Sequence, residues 1–244
     1  MVLMEAVIDF GASSIKAVVG KKHLIIDNDI SSVRSFVSSL PKGLKLRITG
    51  GNTKALKKYL KKARFIDELK AVGYGGIRLA GRKQGTVICV GTGSCIVEAR
   101  GRHIVHRCGS PLGGGTLEGL ARIMGLSLRR LDTLAKAGRA ERVNLTVKDI
   151  TGGPLGKLPG NATASSMYRK GSKADVAAGL FRMVADSVLS IAMYTKARPV
   201  IVTGRTTELV SFRKALRSAS SSVRLPLMIP KKATYATAYG ALRW

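Results

Sequence analysis

The sequence predicts an α/β fold in which short apolar strands end in glycine turns and alternate with helices. Three observations point there. First, two segments share one design. Residues 6–8 form an apolar run that ends in Asp9, then the small-residue turn FGASS, then IKAVVG; residues 87–90 run into GTGS and then CIVEA. Each reads as strand, tight turn, strand. Second, residues 45–49 end in Gly50, Gly51 and Asn52, and residues 199–203 end in Gly204; each strand leads into a helical stretch, the second over 207–217. Glycine turns repeated at strand ends mark the sheet edge where ligands bind. Third, helical patterning fills the intervals. Residues 54–64 (KALKKYLKKAR) read as a short basic helix with Leu56, Tyr59 and Leu60 turned inward. Residues 117–124 continue a triple-glycine turn. Residues 174–195 give the longest helix, with Val176, Leu180, Met183, Val184, Ser187, Val188 and Ile191 on one face, as a core or a dimer surface.

Composition narrows the function. The chain of 244 residues has room for one large domain or two lobes. At 45% hydrophobic and 5% aromatic it affords an aliphatic core and excludes global disorder. Net charge is +28, from 42 Lys and Arg against 14 Asp and Glu. Such a surface fits either a polyanion partner or general basicity that helps attract nucleotide phosphates. The cations are spread along the chain with one dense run and no interleaved aromatics, which favours general basicity and only weak, nonspecific contact with nucleic acid. Cys89, Cys95 and Cys108 form no CxxC pair or Cys/His cluster, so a reduced, cytoplasmic protein is expected. The start MVLMEAVIDFG carries an acid and runs directly into a strand, unlike a signal peptide. No apolar run reaches the ~18 residues of a membrane span.

The densest chemistry lies in RCGSPLGGGTLEGL, residues 107–120. Gly113, Gly114 and Gly115 open a helix, and bare N–H groups at a helix start form a seat for phosphate; glycines also make plain turns. Asp9 ends a strand at the mouth of the first turn. Its carboxylate suits either Mg²⁺ held through water, with Lys16 on phosphate, or a plain turn. Acids are scarce, so each is informative. Glu68 stands near a helix start as a general base or a helix cap, with Asp67 the competing carboxylate. Arg107 is a candidate clamp for a carboxylate or phosphate. Residues 151–166 read as a long ordered loop of the kind that carries function. Its Gly156-Lys157 lacks P-loop spacing and the following Ser or Thr, Gly91-Thr92-Gly93 lacks the third glycine of a dinucleotide fingerprint, and no GxSxG elbow occurs. His23, His103 and His106 show no metal spacing.

The order of these motifs resembles the type II and eukaryotic-type pantothenate kinases, within the superfamily of acetate and sugar kinases, heat-shock ATPases and actin. The family's D-x-G-G-T-x-x-K is matched by residues 9–16, its T-G-G-[GN] turn by residues 49–52, and its glutamate element by Glu68-Leu69-Lys70. Its second phosphate turn G-[ST]-G-x-S is matched by residues 91–95, and R-x-x-G-[ST]-x-L-G-G-G-T-x-x-G-L by residues 107–120 with the first spacing one residue shorter. D-I-Y-G-G and L-P-G-x-x-x-A-S-S are matched by residues 149–153 and 158–166. The departures are Ala12 and Ser13 for glycine and threonine, Lys70 for an aspartate, and Cys95 for a serine that contacts substrate in the family.

The resemblance implies a two-lobed actin-like (ribonuclease H-like) ATPase fold with a nucleotide cleft, lobes over 1–82 and 83–244, and a homodimer. It implies ATP and Mg²⁺, transfer of the γ-phosphate to the primary hydroxyl of pantothenate, and feedback by coenzyme A or acyl-coenzyme A. Glu68 becomes the general base, and Arg107 and Cys95 contact substrate. Asp9, Gly11, Ser13, Ser14, Lys16, Thr92, Gly113, Gly114, Gly115, Thr116, Leu117, Gly204 and Arg205 become the nucleotide site, with Asp9 toward the metal. The alternatives are a related kinase for another small alcohol, or a catalytically weak member that binds nucleotide or nucleic acid.

Overall fold

The computed structural model describes residues 5–244 except 27, 42, 52, 54–59, 61 and 157. The expected basic helix over 54–64 therefore lies largely outside the described residues, as do Asn52 and Lys157. Two five-stranded sheets repeat one topology. The first contains β1 (Glu5–Phe10), β2 (Ile15–Val19), β3 (Lys22–Ile26), β4 (Lys45–Thr49) and β5 (Arg64–Phe65), in the order β3-β2-β1-β4-β5. The second contains β6 (Gln84–Val90), β7 (Ser94–Arg100), β8 (His103–Ser110), β11 (Val200–Thr203) and β12 (Leu227–Met228), in the order β12-β11-β6-β7-β8. In each, the first three strands form an antiparallel meander, and a later strand returns parallel to the first: β4 beside β1, and β11 beside β6. The two hairpins expected from FGASS and GTGS are β1–β2 and β6–β7. A small hairpin of β9 (Leu145–Thr146) and β10 (Thr163–Ser165) borders the long loop, which begins with the short helix α5 (Val147–Thr151).

Helices cover the sheets according to their apolar faces. α1 (Ile30–Ser39), capped by Asp29, brings Val33 onto Ile8, Ile15 and Ile48 of the first sheet. α3 (Gly114–Ile123), α4 (Leu128–Ala135), α6 (Lys173–Met193) and α7 (Val210–Ser222) cover one face of the second sheet through Leu117, Leu131, Phe181, Val184, Val188, Phe212 and Leu216. By length and composition α6 could cross a membrane. Here it is a core helix between α4 and α7. Its buried face is wider than the stripe expected from the sequence: Ala177, Phe181, Ala185, Leu189 and Ala192 are buried as well.

Two helices tie the sheets together. α2 (Glu68–Leu79) turns Ala71 toward Val7 and Val18 of the first sheet, and Val72 and Ile77 toward Val87, Val97 and Ile201 of the second. α8 (Ala236–Arg243) lies on the first sheet through Ala238 and Ala241 and crosses α2. The crossing is a reciprocal small-residue contact. A Cβ on Gly75 would overlap the Ala236 carbonyl, and one on Gly240 would overlap the Ala71 carbonyl. Each helix thus presents an alanine carbonyl to a glycine four residues along its partner.

This packing predicts a sharp contrast between two glycine substitutions. Gly75→Val should lower unfolding free energy by at least the roughly 1–3 kcal/mol typical of overpacking. Gly119→Ala, in α3 with nothing within 4 Å of the new methyl, should raise it by up to about 1 kcal/mol through helix propensity. Urea denaturation of both variants measures the difference.

Candidate active site

The site forms where β1, β4 and the start of α2 meet. Asp9 on β1 is the antiparallel partner of Lys16 and the parallel partner of Thr49. Its carboxylate lies 3.8 Å from the Lys16 ammonium, and Asp9 is only 4% exposed. Burial pushes the Asp9 carboxyl up to about 6, against the pull of Lys16. Glu68 opens α2 and reaches toward the glycine turn after β4, its Oε2 3.4 Å from where a Gly51 Cβ would stand. Burial raises its pKa first, the nearby Asp9 charge raises it further, and Lys16 opposes both. Lys16 thus acts on both carboxyls, and Asp9 acts on Glu68.

Asp67 is taken up elsewhere. Its side chain caps α2 by accepting from Lys70 N at 2.9 Å. The cap reading thus falls to Asp67 and leaves Glu68 free. The charge reversal at Lys70 is also drawn off, because its ammonium stands 5.5 Å from the centroid of the Trp244 ring. Two buried hydroxyls, Thr49 Oγ1 on the residue paired with Asp9 and Ser14 Oγ in the turn after β1, have no hydrogen-bond partner. Buried polar atoms without partners are rare and costly. Oxygen-rich surroundings of this kind, with one buried carboxylate, suit a hard cation that keeps waters and phosphate oxygens as further ligands. Among the described residues no group of three His, Cys, Asp or Glu gathers to hold a metal alone.

Three glycine turns stack into the other wall. Gly114 N donates to Gly91 O at 2.7 Å, and Gly115 N donates to Thr92 O at 2.9 Å. Gly113 N donates to Thr116 Oγ1 at 3.2 Å. The triple glycine does open a helix, α3, but these N–H groups are spent on neighbouring oxygens and do not form the bare phosphate seat expected. Glycine is needed there for close backbone approach: a Cβ on Gly113 would lie 2.6 Å from both Thr92 O and Gly93 O. Leu117 is fully buried below the turn. Gly204, at φ 95°, closes the stack, and Thr206 Oγ1 bonds Gly91 O at 3.2 Å. Thr92 Oγ1 reaches across to Ser13 Oγ at 3.1 Å, joining the first hairpin turn to the second.

These turns border a cavity of about 420 Å³ lined by Ser13, Gly91, Gly114, Gly115, Arg205 and Thr206. Its remaining wall includes Glu118, Arg129, Asp132 and Glu208, which the sequence reading did not single out. The scarcity of acids that drew attention to Glu68 marks three of these four equally well. Asp132 also fixes the wall, since its carboxylate accepts from Ser211 N at 2.8 Å and so joins α4 to α7. A second cavity of about 410 Å³ lies at Glu68, lined by Gly50, Gly51, Thr53, Phe65, Asp67 and Leu69. Glu68 thus lines one space, and the turn after Asp9 lines the other through Ser13.

The other expected residues divide. Cys95 faces Cys89 directly across β6–β7, and Glu68 acts on both thiols. The hydrogen bond between them raises the Cys95 thiol and lowers that of Cys89. Arg107 is not brought beside Glu68. Its Nε donates to Glu98 Oε2 at 2.8 Å and its Nη2 bonds the same oxygen, while Glu98 Oε1 accepts from Lys196 N and, at 3.0 Å, from Ala197 N. Its side chain stays 46% exposed.

The chain is similar to several known proteins. Residues 86–202 match the Fumble family. Type II pantothenate kinases from two Bacillus cereus strains, ATCC 14579 and G9842, are 27% and 26% identical over 166 residues, 60% of this chain. The chain spans 59% of the length of these relatives. Component A of the (R)-2-hydroxyglutaryl-CoA dehydratase of Acidaminococcus fermentans superposes with a TM-score of 0.71 at 18% identity, covering 98% of this chain and 96% of the other. The activator of the 2-hydroxyisocaproyl-CoA dehydratase from Clostridium difficile, with bound ADPNP, gives 0.70 at 15% identity over 98% and 93%. A ROK family glucokinase from Streptomyces griseus, in complex with glucose and AMPPNP, gives 0.63 at 12% identity over 98% of each chain.

The raised Asp9 pKa predicts a pH-dependent stability difference. Folded Asp9 holds its proton to about pH 6, against an ordinary value of 3.8. Its contribution to stability is therefore complete below the ordinary value and is lost as pH rises through about 6. Asp9→Asn should melt close to wild type at pH 4 and above it at pH 7. Thermal melts of the ligand-free proteins across that range, showing a difference that grows with pH, provide the check. In sequence the chain is similar to the type II pantothenate kinases, and its two repeated sheets carry the actin-like fold.

Proposed function

We propose that this protein is an ATP-dependent kinase that phosphorylates the primary hydroxyl of pantothenate, the first step of coenzyme A synthesis. One observation carries the reading: a buried carboxylate paired with a lysine acts electrostatically on a glutamate of raised pKa that lines a cavity, and the turn that follows the carboxylate lines a second cavity through Ser13. The similarity to type II pantothenate kinases supports the acceptor. The ATP analogues bound to the Clostridium and Streptomyces proteins support the donor.

In this reading the nucleotide occupies the cavity of about 420 Å³, along Ser13, Thr92, Gly114, Gly115 and Arg205. Asp9, with the hydroxyls of Ser14 and Thr49, would hold Mg²⁺, which when bound would supply charge neutralisation at the phosphates. The acceptor alcohol enters the space beside Glu68. Glu68 takes the hydroxyl proton as the oxygen attacks the γ-phosphorus and the bond to the β,γ-bridging oxygen breaks to release ADP; its raised pKa brings it nearer the working pH of a general base. Lys16 offsets charge developing on the transferred group. Arg107, outside the space beside Glu68, contacts the carboxylate at the far end of the extended substrate through the guanidinium edge that Glu98 leaves open. Assembly as a homodimer, feedback by coenzyme A or its thioesters, and a cytoplasmic location belong to the same reading.

Glu68→Gln should keep ATP affinity and lose phosphoryl transfer by about 10²–10⁴-fold. An ATP-consumption assay with pantothenate, beside calorimetric ATP binding, measures both; wild-type turnover would remove Glu68 from the mechanism. Arg107→Ala should raise the KM for pantothenate more than that for ATP, by roughly tenfold or more for a lost charged contact of about 1.5–3 kcal/mol. Turnover on other small alcohols but not on pantothenate would keep the kinase and change its acceptor.

A further inference from the structure

A second concave site lies at the opposite end of the second sheet. The nucleotide cavity sits at the Val90–Gly91 end of β6. The new groove, about 740 Å³, sits at the Gln84 end, roughly 20 Å away along a strand of this length. It is walled by Arg78, Arg82, Lys83, Arg100 and Arg102 over Tyr74. We propose that this groove binds the phosphodiester backbone of a nucleic acid.

The charge balance is the first argument. Five of its nine lining residues are cations and none is an acid. All five are exposed, and none enters any of the six ion pairs among the described residues. Like charges gathered without carboxylates repel one another and together attract a polyanion.

The second argument is order. The Arg78 and Arg102 guanidinium carbons stand 5.8 and 5.9 Å from the Tyr74 ring centroid, and Arg102 also stands 5.7 Å from that of Trp244. Tyr74 and Trp244 meet edge to face at 5.7 Å, and Arg102 Nη2 bonds Arg243 O at 3.3 Å. Guanidinium groups held on aromatic rings lose little freedom when they grip a phosphate, and their planar fork suits it.

The third argument separates nucleic acid from a lipid surface. The groove is concave, and the large exposed apolar side chains among the described residues (Ile123, Ile150, Leu155 and Tyr194 among them) all lie outside it. A membrane-binding face needs an apolar anchor beside its charge. The cations come from the end of α2, the turn after it, and the β7–β8 turn. That dispersal is why the site is invisible along the sequence.

The test is fluorescence anisotropy with the full chain and a labelled single-stranded RNA of about 20 nucleotides, longer than one typical binding site. Arg82→Glu with Arg102→Glu is compared with Lys21→Glu and Lys45→Glu, an exposed pair elsewhere with the same charge change. Arg82→Gln with Lys83→Gln, both in the exposed turn, covers the case in which the Arg102 variant unfolds; thermal melting reports folding. The groove variants should weaken binding about tenfold or more at near-physiological salt and flatten the slope of log affinity against log salt by roughly 1.4, about 0.7 per lost phosphate contact. The control pair should change affinity less than about threefold, since it breaks no groove contact. Equal weakening by both pairs, no binding by wild type, displacement of the RNA by equimolar ATP, or tighter groove-dependent binding to phosphatidylserine vesicles would each overturn the proposal.

Discussion

The α2–α8 crossing is the constraint on which the rest of the molecule depends. Glycine inside a helix costs about 1 kcal/mol relative to alanine. α2 nevertheless carries Gly73, Gly75 and Gly76, and each is used. Gly75 admits the α8 backbone, Gly76 admits Val87 of the second sheet, and Gly73 admits Ile104. α2 is a thin wedge, packed on two sides at once. It touches the second sheet directly and the first through α8 and Ala71. A larger residue at any of the three positions would move one sheet relative to the other. Glu68 stands at the start of this helix and Arg78 near its end, so the same wedge aims the candidate base and one wall of the basic groove.

The two sheets repeat a topology but do not share the chemistry equally. Asp9 pairs with Lys16 across β1–β2, and Cys89 pairs with Cys95 across β6–β7. Asp9 lies beside Thr49, and Cys89 lies beside Thr203. The positions correspond, yet an ion pair stands in the first sheet where a thiol pair stands in the second. The threonines differ in the same sense. Thr203 Oγ1 bonds Ile88 O at 3.3 Å, whereas Thr49 Oγ1 is buried with no partner. At these corresponding positions the buried charge, the raised carboxyl and the unpartnered threonine fall on the first sheet. The second sheet contributes satisfied backbone turns and the larger share of the core. At matching positions, then, one half of the repeat holds an ion pair and an unpartnered threonine, and the other a thiol pair and a satisfied threonine.

What was legible in the sequence follows from range. The hairpin turns were readable because an apolar run and a small-residue turn are adjacent in the chain. Glu68 stands out in the sequence because acids are rare against 42 cations, and the structure gives it a raised pKa beside a cavity. The division of labour between Asp67 and Glu68 was not, since it depends on which carboxylate meets Lys70 N. The triple glycine was readable as a helix start. Its hydrogen bonds were not, because their acceptors, Gly91 O and Thr92 O, lie more than twenty residues earlier. α8 left no signal at all: its buried face is alanine and glycine, so ATAYGALR shows little apolar periodicity. Such a face becomes meaningful only when a second backbone is pressed against it.

The net charge of +28 illustrates the same limit in space. Along the chain the cations are even, and an even spread argues for background. Folding sorts them. Lys16 is spent on Asp9, Arg107 on Glu98 and Arg182 on Asp186, because those sites contain the few acids available. Where several chain turns meet without an acid, the cations accumulate unpaired. A chain with three cations for each carboxylate must leave most of them exposed to solvent. Where it concentrates them is then a matter of architecture, and here the place is a concave surface whose arginines are braced on Tyr74 and Trp244. General basicity would spread such charges as far apart as the surface allows; bracing them side by side opposes that repulsion, and the opposition is the physical reason to read the groove as a site.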